Sequence, residues 1–249
     1  MARFGVKEVA DVIFYDLANS EKPVMFLDTL KMSNLENDAE TSYAQGGKGN
    51  GRILGWDYNR TATFTLQDAL MNPKMVAMQA GAEVKKGVVT AHKREVLEAV
   101  DDGGTATTVT LSESPISGKT TVYSTEDGYD HGTEVTPTAE AQAMTFVPTD
   151  VPIGSKVVVY YQYETSVNAE QIVISSDKYA GYYKVVGHTV IRNAKTNIDE
   201  AFEIEVPKAK IMSNFALNLT PDGDPAVFDI TLDVFKTDNN DMVKLTRIG

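Results

Sequence analysis

Histidine, cysteine and paired carboxylates are the side chains from which catalytic and metal centres are most often built. This sequence uses them sparingly. Its histidines, His92, His131 and His188, lie far apart, and none sits in His-Glu-x-x-His or another metal-ligand spacing. There is no cysteine, which excludes disulfides, thiolate metal sites and cysteine nucleophiles. No Gly-x-Ser-x-Gly elbow occurs. Asp222-Gly-Asp224 and Asp238-Asn-Asn-Asp241 look superficially like calcium ligands. Neither continues to the closing Glu of an EF-hand, and Asp or Asn at a turn has a simpler use in bonding its own backbone. Glu203 and Glu205 fall on one face of a predicted strand and have the residue types for acid/base work. Alternating charge on a solvated face accounts for them without catalysis. Tyr43 to Arg52 has the glycines and cations of a phosphate loop. Its spacing is not Gly-x-x-x-x-Gly-Lys-Ser/Thr, and a β-rich run follows in place of a helix. No cofactor or metal is expected, and the balance favours a scaffold over an enzyme.

The elements that would carry these residues are mostly strands. Ile204 to Phe235 holds two runs of alternation around a turn at Pro221-Asp-Gly-Asp-Pro225. In the second run Phe228, Ile230, Leu232 and Val234 share one face, and Asp229, Thr231 and Asp233 share the other. A period of two predicts a strand with one buried and one wet side, and the pair predicts a long hairpin. Val12–Tyr15, Val24–Leu27, Tyr182–Arg192 and Ala201–Val206 also read as strands, with a weaker one from Leu30 to Asn37. The segment 43–52 reads as a loop. The one good helix is Asn72–Gly81: Asn72 caps it, Pro73 suits its first position, Gly81 stops it, and Met75, Val76 and Met78 can cover a sheet. From residue 95 to 165 short strands alternate with Gly, Pro and Asp turns, which predicts a sandwich-like module inserted between 1–94 and 166–249.

The chain has 249 residues, 42% of them hydrophobic, enough for one large β domain or two small ones. Its formal net charge of −12 should repel nucleic acid and anionic membranes on average. No apolar run approaches the ~20 residues that span a bilayer. The first residues carry charges where a signal peptide needs an apolar core, so export is not expected.

Several stretches carry a family resemblance. Phe26-Leu-Asp-Thr-Leu-Lys-Met-Ser-Asn34, Gly46-Gly-Lys-Gly-Asn50, Trp56-Asp-Tyr58 and Leu66-Gln-Asp-Ala-Leu70 resemble structural proteins of tailed bacteriophages. So do Val206-Pro-Lys-Ala-Lys-Ile-Met-Ser-Asn214 and Asp222-Gly-Asp-Pro-Ala-Val-Phe-Asp229. The chain is similar to major tail proteins, the subunits of the tail tube, over residues 10–85 and 170–249. The resemblance implies a mainly β fold: an antiparallel β-sandwich or barrel-like tail-tube core with one short flanking helix and a β-rich middle module. It implies hexameric rings that stack on one another into a tube, contacts with other tail, baseplate or neck proteins, and viral DNA passing through the lumen without specific binding. It implies no membrane partner and a place in the virion tail after assembly in the host bacterial cytoplasm. On this footing Asp229, Thr231 and Asp233, or else Glu203 and Glu205, are candidates to line the lumen. The loop Gly46, Gly47, Lys48, Gly49, Asn50 and Gly51, with the N-terminal arm, is the candidate to reach a neighbouring subunit. A capsid decoration or baseplate-ring protein shares this β-rich, acidic character. The tyrosines Tyr160, Tyr161, Tyr163, Tyr179, Tyr182 and Tyr183 also suit a carbohydrate-binding module, although tyrosines on strands more often form core or cross-strand pairs.

Overall fold

In the computed structural model the chain is described over residues 3–248, except 130, 139, 218, 220 and 222–225. Residues 222–225 of the predicted turn Pro221–Pro225, with the acidic pair Asp222 and Asp224, therefore lie outside the described residues. The protein is mainly β, with antiparallel sheets. It divides into two compact units: residues Met1–Val84 with Ile172–Gly249, and residues Lys85–Gln171.

The first unit begins with strands β1 (Phe4–Val6), β2 (Asp11–Asp16), β3 (Lys22–Leu27), β4 (Leu30–Gly46) and β5 (Gly51–Asp68), followed by helix α1 (Pro73–Ala80). Asn72 accepts a hydrogen bond from the Lys74 amide, and Gly81 ends the helix at φ 65°. Met75 and Met78 are buried in the core, as their spacing predicts. Gly81 has a second role that the sequence does not reveal. A Cβ there would lie 2.2 Å from the Tyr179 carbonyl oxygen, so only glycine lets the backbones approach.

Strands β6 (Val84–Lys86) and β14 (Glu170–Ile172) form a two-stranded ribbon where the chain enters and leaves the second unit. That unit has β7 (Thr90–Glu98), β8 (Val100–Asp101), β9 (Thr107–Thr110), β10 (Pro115–Thr125), β11 (Thr133–Glu134), β12 (Ala143–Phe146) and β13 (Lys156–Glu164). One sheet runs β11-β10-β13-β7 and the other β12-β9-β8. Val109, Met144 and Phe146 from the smaller sheet and Val122, Val157 and Val159 from the larger belong to one core. This is sheet-on-sheet packing.

The chain returns to the first unit with β15 (Tyr182–Asn193), β16 (Asp199–Ile211), β17 (Phe228–Val234) and β18 (Lys244–Ile248). These join a nine-stranded sheet of order β3-β2-β15-β16-β17-β5-β4, with β1 also on β15 and β18 also on β16. The edge strands β3 and β4 are separated in the chain by only Asp28 and Thr29. The link is tied down: Thr29 accepts a hydrogen bond from the Ala69 amide, and its hydroxyl donates to the buried Asp68 carboxylate at 2.5 Å. Val12, Leu27, Phe64, Val185, Val206 and Ile230, from six strands around the sheet, meet in a single core. These six strands thus turn apolar side chains to one core, while Asp229 and Asp233 on the opposite face of β17 are exposed.

Two sequence expectations need correction. The long hairpin of residues 204–235 pairs only over Ala209↔Val234, Lys210↔Asp233 and Ile211↔Leu232. The earlier half of β16 pairs with β18, and β17 spends its length on β5, from Phe228↔Asp68 to Asp233↔Thr63. Alternation fixes which face a strand buries, but not its partner. The predicted loop 43–52 is narrower than expected. Strand β4 continues to Gly46 and β5 begins at Gly51, which leaves a four-residue turn.

Candidate assembly interface

Each sequence-predicted strip now has an environment. On β17, Asp229 and Asp233 are exposed and Thr231 half-buried, between the buried residues of the core face. Register places Gln67, Thr65 and Thr63 of β5 beside them, then Met32, Asn34 and Glu36 of β4. Cross-strand partners share a face. The field is therefore hydroxyls, amides and carboxylates, with the exposed Met32 thioether at one end. Asp229 accepts a 2.9 Å hydrogen bond from the Gln67 amide. Among these register neighbours Lys210, opposite Asp233, is the one cation. Beneath the strip, the buried Gln79 of α1 donates to the Asp229 carbonyl oxygen at 3.2 Å and fixes the helix to β17.

Glu203 and Glu205 lie on the adjacent strand in a different electrostatic setting. Glu203 meets the His188 ring at 3.2 Å. Glu205 lies 3.6 Å from both Lys184 and Lys244, and Lys184 also holds Glu21 at 3.2 Å. Burial opposes the Lys184 charge. Its bonds to Glu21 and Glu205 outweigh that and hold the ammonium above its ordinary range. A phosphate passing Glu205 would meet two ammonium groups as well as the carboxylate. The β16 strip is charge-compensated, and the β17 strip is largely bare.

The glycine-rich segment is the tip of a long arm. Beyond the pair Asp38↔Thr61, strands β4 and β5 continue as a ribbon with no third strand among the described residues. The tip turns through Gly47, Lys48, Gly49 and Asn50, with Gly47 at φ 79° and Gly49 at φ 85°. Asn50 donates its amide to the Gly47 carbonyl at 3.2 Å, and Gly46 pairs with Gly51 at the base of the turn.

The arm has two unlike faces. On one, the Arg52 guanidinium lies 3.9 Å over the Tyr43 ring, and the Thr41 hydroxyl donates to Asp57 at 2.8 Å. On the other, Leu54, Trp56 and Tyr58 stand opposite Ala44, Ser42 and Glu40. Ile53, at a bulge, is 64% exposed, and the three side chains after it are 59%, 55% and 52% exposed. At the arm's base Asn59 donates to Glu40 at 2.7 Å. Bonds from Asn59 and Tyr58 hold the Glu40 carboxyl below its ordinary range, and the same contact raises the Tyr58 phenol. A two-stranded ribbon is marginal in water, and a row of large apolar side chains facing solvent marks an interaction surface.

The stripe has a signal in the sequence: Leu54-Gly-Trp56-Asp-Tyr58 shows its period of two. The N-terminal segment is held by its own chain: β1 pairs with β15 over Phe4↔Asn193 to Val6↔Ile191, and Arg247 stacks over Phe4. The Asp238–Asp241 cluster forms a turn, in which Asn240 donates to the Thr237 carbonyl at φ 64°. Among the described residues no group of three or more His, Asp and Glu side chains gathers as a metal would require.

A family model described as the YomU/Tube protein family matches residues 4–248, nearly the whole chain. Among curated proteins none matches it.

Proposed function

We propose, for a chain that belongs to the YomU/Tube protein family, that it is the subunit of a phage tail tube and builds that tube through its β4–β5 arm. Hexameric rings stack into a hollow polymer. The arm of each subunit lays Ile53, Leu54, Trp56 and Tyr58 on a neighbouring copy. The contact is heterologous, a head-to-tail match of unlike surfaces, and such contacts propagate into rings or filaments. The exposed apolar face of the arm is the observation that carries this reading, because assembly buries what the isolated subunit leaves in water.

The strip Asp229, Thr231 and Asp233 lines the channel, with Thr63, Thr65 and Gln67 beside it. Two features support it over Glu203 and Glu205: the β5 residues beside it are two hydroxyls and an amide, and Lys210 is the one cation among its register neighbours. At physiological salt fixed charge acts over roughly 8 Å, so a wall of this composition repels DNA at close range and lets it slide. The β-rich module within 95–165 takes no part in the channel in this scheme. Other tail, baseplate or neck proteins cap the polymer.

The test is sedimentation over a concentration series for the full chain and for a variant in which residues 41–57 are replaced by a two-residue Asn-Gly turn. The full chain is expected to pellet above a threshold concentration. The shortened chain is expected to remain monomeric, with an unchanged β spectrum and melting temperature. Polymer formation by the shortened chain would remove the arm from the account.

A further inference from the structure

The second unit carries a basic cleft on an otherwise acidic body. On the outer face of β10, β13 and β7, register places Thr121, Tyr160 and Arg94 in one row and Gln162 and His92 in the next. Lys119 joins them from a bulge in β10, where Gly118 adopts φ 70°. These residues line a cleft of about 400 Å³. Lys93 also borders it, but its ammonium is engaged by Glu95 and Ser112. The other cations between residues 85 and 171 are Lys85, Lys86 and Lys156, and carboxylates outnumber cations in that span.

The cleft is held in shape before any ligand arrives. Arg94 donates through Nε to the Tyr160 hydroxyl at 3.1 Å and through Nη2 to the Gly128 carbonyl at 2.6 Å. The Tyr160 hydroxyl meets the His131 Nε2 at 2.9 Å, and His131 stacks on Tyr123 at 4.6 Å. Gln162 donates from Nε2 to His92 Nε2 at 3.0 Å. Arg94 retains N–H donors and has no carboxylate partner among the described residues. Lys119 is exposed and makes no ion pair among the described residues.

We infer that this cleft binds an anionic saccharide, with the anion on Arg94 and Lys119 and the sugar hydroxyls on Gln162 and Thr121. A preorganised guanidinium beside a mobile ammonium suits a phosphate or carboxylate. The amide and hydroxyl between them suit a hydroxyl-rich ligand, and the volume suits one or two sugar residues. A nucleic acid fits less well. Its closely spaced phosphates would extend past the cleft onto a unit in which carboxylates outnumber cations, and the rings that line the cleft are engaged rather than laid open for base stacking: Tyr160 bonds Arg94 and His131, Tyr161 bonds Glu95, and His92 bonds Gln162.

The test is affinity electrophoresis of the full chain through gels containing poly(glycerol phosphate) teichoic acid, hyaluronate or neutral dextran, with glucose 6-phosphate and oligothymidylate as competitors. The two anionic polymers are expected to retard the protein and dextran is not. Lys119→Glu, on an exposed side chain whose loss leaves the fold intact, should weaken binding about tenfold or more, and Lys119→Arg should preserve it. Competition by glucose 6-phosphate would show that one phosphorylated sugar fills the cleft. Binding that resists it would show that the polymer itself is required, and either result supports the site. Three results would overturn it: no retardation by either anionic polymer, unchanged binding by Lys119→Glu, or oligothymidylate competing as well as the saccharides. Run below the polymerisation threshold, none of these readouts depends on ring assembly.

Discussion

Trp56 separates folding from assembly more cleanly than any other side chain. It is the only tryptophan in the chain, it stands on the arm, and it is 55% exposed. A whole tryptophan side chain presents about 250 Å², so about 140 Å² of Trp56 faces water in the subunit. Complete burial of that area against a neighbour would contribute up to about 3.5 kcal/mol at ~25 cal/mol per Å². Burial of half of it contributes about 1.7 kcal/mol, or roughly 20-fold in the association constant. Replacing Trp56 with Ser should therefore raise the threshold concentration for polymerisation by one to two orders of magnitude, about 20-fold as a central value. The monomer should melt where the wild type does, because Trp56 is not part of the buried core. Wild-type fluorescence supplies an independent readout, since its emission comes from this one ring. It should shift to the blue as protein concentration crosses the threshold, and the shift should coincide with sedimentation. Polymerisation of Trp56→Ser at the wild-type threshold would refute the reasoning. So would wild-type polymer whose tryptophan emission remains that of a solvated ring.

Three further outcomes follow from local geometry. Gly81→Ala puts a Cβ against the Tyr179 backbone at a positive φ, and should cost about 2–4 kcal/mol, read as a lower urea midpoint. Glu95 accepts from the Tyr161 hydroxyl at 2.5 Å and from the Ser112 amide at 3.2 Å. Burial works against its charge, yet the bonds from the Ser112 hydroxyl, the Tyr161 hydroxyl and the Ser112 amide hold its carboxyl below the ordinary range. A depressed folded value contributes stability above the ordinary glutamate range, near pH ~4.3, and that stability is lost as pH falls through the folded value. Glu95→Gln should thus be less stable than wild type by about 1–2 kcal/mol at pH 7, and the gap should close in acid; a constant gap from pH 7 to below the glutamate range would remove the charge from the explanation. Finally, Asp229→Asn with Asp233→Asn should leave sedimentation of the polymer unchanged and slow DNA release from assembled particles. Unaltered release would move the channel wall elsewhere.

Much of the frame was legible because local chemistry dictates it. Asn72, Pro73 and Gly81 delimit α1 by capping alone, and Phe228, Ile230, Leu232 and Val234 fix the buried face of β17 by alternation. The arm was hidden for the opposite reason. Residues 36–46 are wet on both sides, so no hydrophobic period marks them as a strand. Their extension is imposed by pairing with β5, from Glu36↔Thr63 to Gly46↔Gly51. Partner choice was equally hidden, as with Ala201–Glu205 on β18, since side-chain alternation is indifferent to which edge supplies the hydrogen bonds. The difference between the two candidate wall strips depended on Lys184 and Lys244, which reach Glu205 from β15 and β18 and are distant from it in sequence.

Electron microscopy of the purified protein across a concentration series decides whether this chain polymerises into a hollow tube. Stacked rings with an open bore are expected to appear above a threshold and to disappear when the arm is shortened. Monomers at every concentration, or closed rings that never stack, would contradict tube formation.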